Sequence, residues 1–151
     1  MLDRELVGVC IDEVAFPVEE GKIREFAVAV GETNPIYHDR DAALAAGYPS
    51  IPAPPTFSIV AAHWRDQGAM VRRLALDLRR IVVGEAQWDY LSPVYAGDRL
   101  SGARIVKDVS ERSGRRGGRM TLITIETELR NQRGDLAVRQ RDLVIELGPA
   151  S

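Results

Sequence analysis

Apolar residues at Ile23, Phe26, Ala27 and Val30 fall at i, i+3, i+4 and i+7, which predicts a helix over Val18–Val30 with one apolar face. Glu19 and Glu20 suit its first turn, where carboxylates meet the positive end of the helix dipole. Gly31 follows the last apolar position, as a C-terminal cap should. A short second helix fits Asp39–Ala46, stopped by Gly47. Pro49, Pro52, Pro54 and Pro55 then hold the chain extended, and Pro54 or Pro55 can open a third helix over Pro55–Gln67. Phe57, Val60, Ala61 and Trp64 repeat the helical spacing there, and the small residues Ser58, Ala61 and Ala62 suit close packing against a sheet.

The period changes to two in the second half. Val82, Gly84, Ala86, Trp88 and Tyr90 share one strand face against Glu85, Gln87 and Asp89 on the other. Leu100–Val109, Arg119–Arg130 and Leu136–Glu146 follow as long strands, with turns expected at Arg112–Gly118 and Asn131–Asp135. A short N-terminal strand fits Leu6–Val14. Helices first and an antiparallel sheet afterwards is the α+β pattern. With 151 residues and no internal repeat or linker, residues 1–151 are expected to form a single domain.

Composition narrows the function classes. Lys+Arg is 20 against Asp+Glu 22, for a net charge of −2, which does not suggest a nucleic-acid binder. The basic run Arg112–Arg119 has no interleaved aromatic residues, which argues the same way. No apolar run approaches a membrane span, and the acidic N-terminus has no long apolar core of a signal peptide, so a cytoplasmic protein is expected. One cysteine and two histidines give no metal set, and neither metal nor cofactor is expected. Cys10 on a strand reads as an inert buried thiol, His63 as a packed or interface histidine, and Trp64 and Trp88 as core.

The densest chemistry lies between Glu32 and Asp39, where a carboxylate, an amide, a phenol, an imidazole and a second carboxylate join two helices. Taken alone, the run is also a plain turn: Asn34-Pro35 is a turn dipeptide, Asp39 can cap the next helix and His38 can be solvated.

The stretch Phe26–Asp39 with Ala42-Ala43 resembles the signature loop of the MaoC-like (R)-specific enoyl-thioester hydratases and (3R)-hydroxyacyl dehydratases. Gly47–Phe57 is similar to the run leading into that family's central helix, Gly84–Asp98 to its first core strand and turn, and Ile125–Asp135 to its late hairpin. The ordered likeness covers residues 5–147 and looks like the branch of N-terminal dehydratase domains. It implies the hot-dog fold, an antiparallel sheet wrapped around a long central helix, here Pro55–Gln67. It also implies side-by-side pairing as a homodimer, or as a heterodimer with a related hot-dog chain. The implied substrate is an acyl thioester of coenzyme A or of acyl carrier protein.

Dehydrating a 3-hydroxyacyl thioester needs a base for the α-proton, an acid for the leaving hydroxyl and N–H donors for the thioester oxygen. By the resemblance, Glu32 stands where the motif has Asp, Asn34 matches its amide, Tyr37 stands where it has His, and His38 lies one residue late. A phenol titrating near 10 is a poor base at neutral pH beside an imidazole near 6.5. Pro54-Pro55 stand where catalytic members carry His-Gly, so Thr56 or Phe57 would have to supply the N–H that proline lacks. Arg115 and Arg116, in a run of four arginines within eight residues, could dock the phosphates of the acyl carrier or be a solvated hairpin tip. Arg72, Arg73, Arg79 and Arg80 could serve likewise. The expectations are a hydratase or dehydratase of acyl thioesters, or a subunit of one. A non-catalytic acyl-thioester-binding partner subunit is the alternative, and a hot-dog thioesterase a weaker one.

Overall fold

The structure is a computed structural model that describes residues 4–66, 68–113 and 118–148. Helix α1 spans Glu20–Ala29 and buries Ile23 and Ala27, while Val30 comes out as its exposed cap residue. Gly31 then adopts φ 73°, a left-handed conformation that closes the helix at little cost for glycine. A 3-10 turn over Pro35–Tyr37 follows, and then α2, Arg40–Ala45, whose N-terminus is capped by Asp39 Oδ1 accepting from the Ala42 N–H at 2.8 Å.

Five strands build one antiparallel sheet in the order β1-β3-β4-β5-β2: β1 Cys10–Pro17, β2 Ile81–Tyr90, β3 Arg99–Ser113, β4 Arg119–Arg130 and β5 Leu136–Leu147. The first strand lies further along than the expected Leu6–Val14. Gly8 turns at φ 89° and ties its N–H to Val106 O at 2.8 Å, so the ladder with β3 starts only after it. Cys10 is exposed at the head of that edge strand and is not the buried thiol its position suggested. In β2 a bulge at Gly84 inserts one extra residue against β5. The alternation therefore slips by one: Ala86, Trp88 and Tyr90 keep a common face, but Val83 and not Val82 precedes them on it.

One face of the sheet is wet and laced with ions: Lys107 and Arg141 hold Glu126 at 3.1 and 2.8 Å, and Arg139 holds Glu128 at 2.8 Å. The other face buries two apolar clusters. One gathers Val14, Phe16, Leu100, Leu129 and Val138 with Ile23, Ile51 and Phe57. The second gathers Ile11, Val106, Ile123, Ile125 and Val144 under Leu74 and Leu76, near the short helix α3 of Ala69–Arg73. A polar row divides them. Asp12, Arg104, Thr127, Gln140 and Trp88 are successive cross-strand neighbours, and Asp12 and Arg104 form a bidentate charged pair.

The segment over the first cluster is shorter than the long central helix expected from the resemblance. It is a 3-10 helix, Phe57–Trp64, with Phe57, Ser58, Val60 and Ala61 buried. The spacing i, i+3 suits a 3-10 helix as well as an α-helix, since side chains three apart then eclipse. Two local constraints delay its start. Pro55 disfavours a helical conformation at Pro54, and Thr56 sits at φ 65°, outside any right-handed helix. At the far end Arg65 is extended, with ψ 150°. Trp64 is 38% exposed, yet its ring stacks on fully buried Phe16 at a centroid distance of 5.2 Å. His63 lies exposed beside it, so of the packed or interface histidine expected the packed reading does not hold within this chain.

Phe16 is therefore the residue that joins the sheet to its cover. Phe16→Ala is expected to lose about 3–5 kcal/mol of stability in urea unfolding followed by circular dichroism. A loss under about 1 kcal/mol would show that the Phe57–Trp64 segment is held to the sheet by other contacts.

Candidate functional site

A cavity of about 350 Å³ opens where the Phe57–Trp64 helix begins. Its position follows from the chain's extended stretches. Residues 51–53 pair with residues 94–96: Ala53 N donates to Val94 O and Ala96 N to Ile51 O, both at 2.8 Å, around the bridge of Pro52 to Tyr95. The two strips thus run side by side, one entering the 3-10 helix and one leaving β2. Pro54, Phe57, Pro93 and Val138 make the wall mostly apolar, and Tyr37 and Tyr90 bring hydroxyl groups to it. Its size is within the range of small-molecule sites. Phe57 is fixed from behind by an edge-on contact with Phe26 of α1, with centroids 5.6 Å apart. Ser58 is buried and its Oγ accepts from Trp88 Nε1 at 3.2 Å.

The Glu32–His38 loop lies against this cavity, and Tyr37 is the member that lines it. Glu32, Asn34 and His38 stand behind Tyr37 in a local network. Glu32 Oε1 accepts from the Asn34 N–H at 2.9 Å, and Asn34 Oδ1 accepts from the Ile36 N–H at 3.2 Å, so both side chains shape the turn. His38 Nε2 lies 2.7 Å from the Glu32 carbonyl oxygen. A carbonyl only accepts, so Nε2 is the donor in this contact. Arg24 Nε of α1 donates to the His38 carbonyl at 2.7 Å and ties the loop to the helix. The Tyr37 phenol is pushed up from its usual 10, first by burial and then by the negative charge of Glu32 and by Tyr48. It stays protonated at neutral pH and can act there as a hydrogen-bond donor.

Neither backbone donor expected at the helix start is idle. Phe57 N donates to Pro54 O at 3.1 Å, and Thr56 N donates to the Tyr90 hydroxyl at 2.7 Å. Arg115 and Arg116 lie outside the described residues. Of the other arginines considered, Arg72 is paired with Asp66, while Arg79 and Arg80 hold Asp77 at 3.0 and 3.2 Å. The Arg79 hydrogen bond leads the effects that pull the Asp77 carboxyl down to about 2. Among the described residues no three His, Cys, Asp or Glu side chains cluster as metal ligands, and no helix is long and apolar enough to cross a membrane. Tyr90, Leu91 and Ser92 line the cavity without having been singled out as site residues. The sequence offered one signal, the period-two face that ends on Tyr90; the meeting of Tyr90 with Thr56, 34 residues away, is a tertiary event.

Residues 5–140 match the family described as FAS1-like, dehydratase domain region. A UPF0336 protein of Streptomyces griseus is 37% identical over 140 residues, covering 91% of this chain and 89% of the relative. Among solved structures, the HadBC (3R-hydroxyacyl-ACP dehydratase) complex of Mycobacterium tuberculosis superposes with a TM-score of 0.74 at 26% identity, covering 93% of this chain and 96% of that one. The (R)-hydratase PhaJ1 of Pseudomonas aeruginosa shares the fold, with a TM-score of 0.70 at 18% identity over 95% of this chain and 83% of that one. The α+β architecture is therefore the hot-dog fold, carried here on a shortened central helix.

The raised Tyr37 phenol can be checked directly. The difference in phenolate absorbance between wild type and Tyr37→Phe should titrate with a midpoint above 10. The native state holds this proton more tightly than the unfolded chain. The Tyr37 contribution to stability is thus complete below about pH 10 and is lost as the pH rises through the native value. Tyr37→Phe should flatten that alkaline loss; a midpoint below 10 would contradict the burial of the hydroxyl.

Proposed function

Since the chain belongs to the FAS1-like dehydratase-domain family, we propose that it is an acyl-thioester-binding subunit of a (3R)-hydroxyacyl-thioester dehydratase, acting beside a related hot-dog chain that carries the acid and base. One observation carries the reading: among the described residues, no Asp, Glu, His, Lys or Arg lines the cavity. The wall can hold an acyl chain. It offers no group that changes protonation near neutral pH, which removal of the α-proton from C2 and protonation of the departing C3 hydroxyl both require. Tyr37 stands where the family motif has its histidine, and its phenol holds its proton.

The sheet supports the need for a second chain. β2 is an edge strand, with Val82 44%, Val83 68% and Tyr90 52% exposed along it. Unpaired edges of this kind invite another strand. Two fold neighbours, the HadBC complex and the ChsH1-ChsH2 complex of Mycobacterium tuberculosis, are assemblies of two named components. A second strand at β2 would lie next to the cavity wall formed by Tyr90 and Leu91. The working state is then a dimer, with a related chain in the catalytic case, in the cytoplasm, with the acyl group delivered on coenzyme A or acyl carrier protein. A thioesterase role would need a carboxylate to activate water at the thioester, and the same wall lacks one.

The experiment is a pair of measurements on the purified chain. Calorimetric titration with crotonyl- and octenoyl-coenzyme A should show binding, tighter for the longer chain because each buried CH₂ contributes about 0.8 kcal/mol. A spectrophotometric hydration assay on crotonyl-coenzyme A should show no turnover above background, in wild type and Glu32→Gln alike. Turnover by the isolated chain, cut by about 10²–10⁴ in Glu32→Gln, would instead establish a self-sufficient hydratase with Glu32 as its base. Sedimentation of a stable monomer at micromolar concentration would count against pairing through β2.

A further inference from the structure

Thr56 holds φ 65° and ψ 0°, a conformation that a β-branched residue adopts only where its surroundings enforce it. The strain has a directional result. In the turn that starts the 3-10 helix, Pro54 and Pro55 have no N–H, and the Phe57 N–H folds back onto Pro54 O at 3.1 Å. The Thr56 N–H instead leaves the turn and meets, at 2.7 Å, the hydroxyl oxygen of Tyr90, a residue that lines the cavity together with Pro55 and Phe57 on either side of Thr56. A backbone donor that stabilises a thioester oxyanion holds its oxygen at about 2.7–3.1 Å. The Tyr90 oxygen lies at such a distance.

We propose that the Tyr90 hydroxyl stands in the seat of a thioester carbonyl oxygen, so that the cavity admits an acyl chain while withholding the backbone hydrogen bond that would polarise its carbonyl. This rests on the acyl-thioester reading above and gives it a second physical basis, independent of the missing acid and base. Tyr90 is well anchored for the role. It is the last residue of β2, and the next two N–H groups, of Leu91 and Ser92, both donate to Ala137 O, at 2.9 and 3.2 Å. The ring therefore approaches Thr56 from a fixed backbone. Removing the hydroxyl alone leaves a gap of one oxygen atom in front of a free N–H, with the ring still in place.

The test compares wild type with Tyr90→Phe, using crotonyl-coenzyme A and the carbonyl-free thioether S-butyl-coenzyme A as probes, with calorimetry for affinity and amide hydrogen exchange for Thr56. Tyr90→Phe should bind crotonyl-coenzyme A about three- to tenfold more tightly, the worth of one regained hydrogen bond. Its affinity for the thioether should not change. The Thr56 amide should exchange faster in the free variant than in wild type and slow again when crotonyl-coenzyme A is added. Unchanged or weaker binding of crotonyl-coenzyme A by Tyr90→Phe overturns the proposal. An equal gain for both probes overturns it too, because that would mean added room and not a freed donor. If neither protein binds either probe, the acyl-thioester reading falls and the proposal with it. Hydration of crotonyl-coenzyme A by wild type also overturns it, since a chain that polarises the carbonyl has its seat open.

Discussion

The structure depends on how the inner face of the sheet is kept from water. Its outer face needs no cover, because Glu126, Glu128, Arg139 and Arg141 form cross-strand pairs that remain partly solvated. Such pairs contribute at most about 1 kcal/mol each, so they make the face soluble more than they stabilise it. The inner face carries Phe16, Leu100, Leu129 and Val138, all nearly inaccessible, and must be buried for the chain to fold. An eight-residue 3-10 helix and the strips leading to it do this over the first cluster. The shortness of that cover leaves space at its proline-rich start, and the cavity opens there.

The polar row between the two clusters limits how far the cover can reach. Beneath it lies Arg65, the residue at which the 3-10 helix ends, with its charged form disfavoured by burial and by Arg104 and favoured by Asp12 and Asp142. Its Nε has no hydrogen-bond partner among the described residues. The Asp12–Arg104 pair is already nearly buried, with 11 and 12% of the side chains exposed, and its bidentate geometry offsets part of the desolvation cost. The helix ends at Trp64, and Leu74 and Leu76 cover the second cluster separately.

Local turn chemistry and tertiary chemistry meet around Tyr37. The side chains of Glu32, Asn34 and Asp39 are each occupied by a backbone N–H two or three residues on, so much of the loop's polarity is spent on its own shape. His38 is fixed on the Glu32 carbonyl. What reaches the cavity is a protonated phenol, and a second cavity-lining phenol accepts the Thr56 backbone N–H of the following turn. A site of this composition holds apolar matter well and moves protons poorly.

The positions of α1 and α2, the three later strands, the Asp39 cap, the glycine at the end of α1 and the family likeness were legible in the sequence; α3 was not. Each rests on interactions within a few residues or on a repeat that backbone geometry imposes, and these are encoded locally. The sequence also carried Tyr37 in the Asn-Pro loop and the paired prolines before the 3-10 helix. Tertiary structure decided what has no local signature. The bulge at Gly84 shifted a face by one residue, because only pairing with β5 reveals an unmatched position. The period of three in Phe57–Trp64 fits two kinds of helix, and the strained Thr56 and the end at Arg65 chose between them. The bond from Thr56 to Tyr90 joins residues far apart in the chain, and no pattern of spacing specifies which hydroxyl a backbone donor will find once the sheet has folded over it.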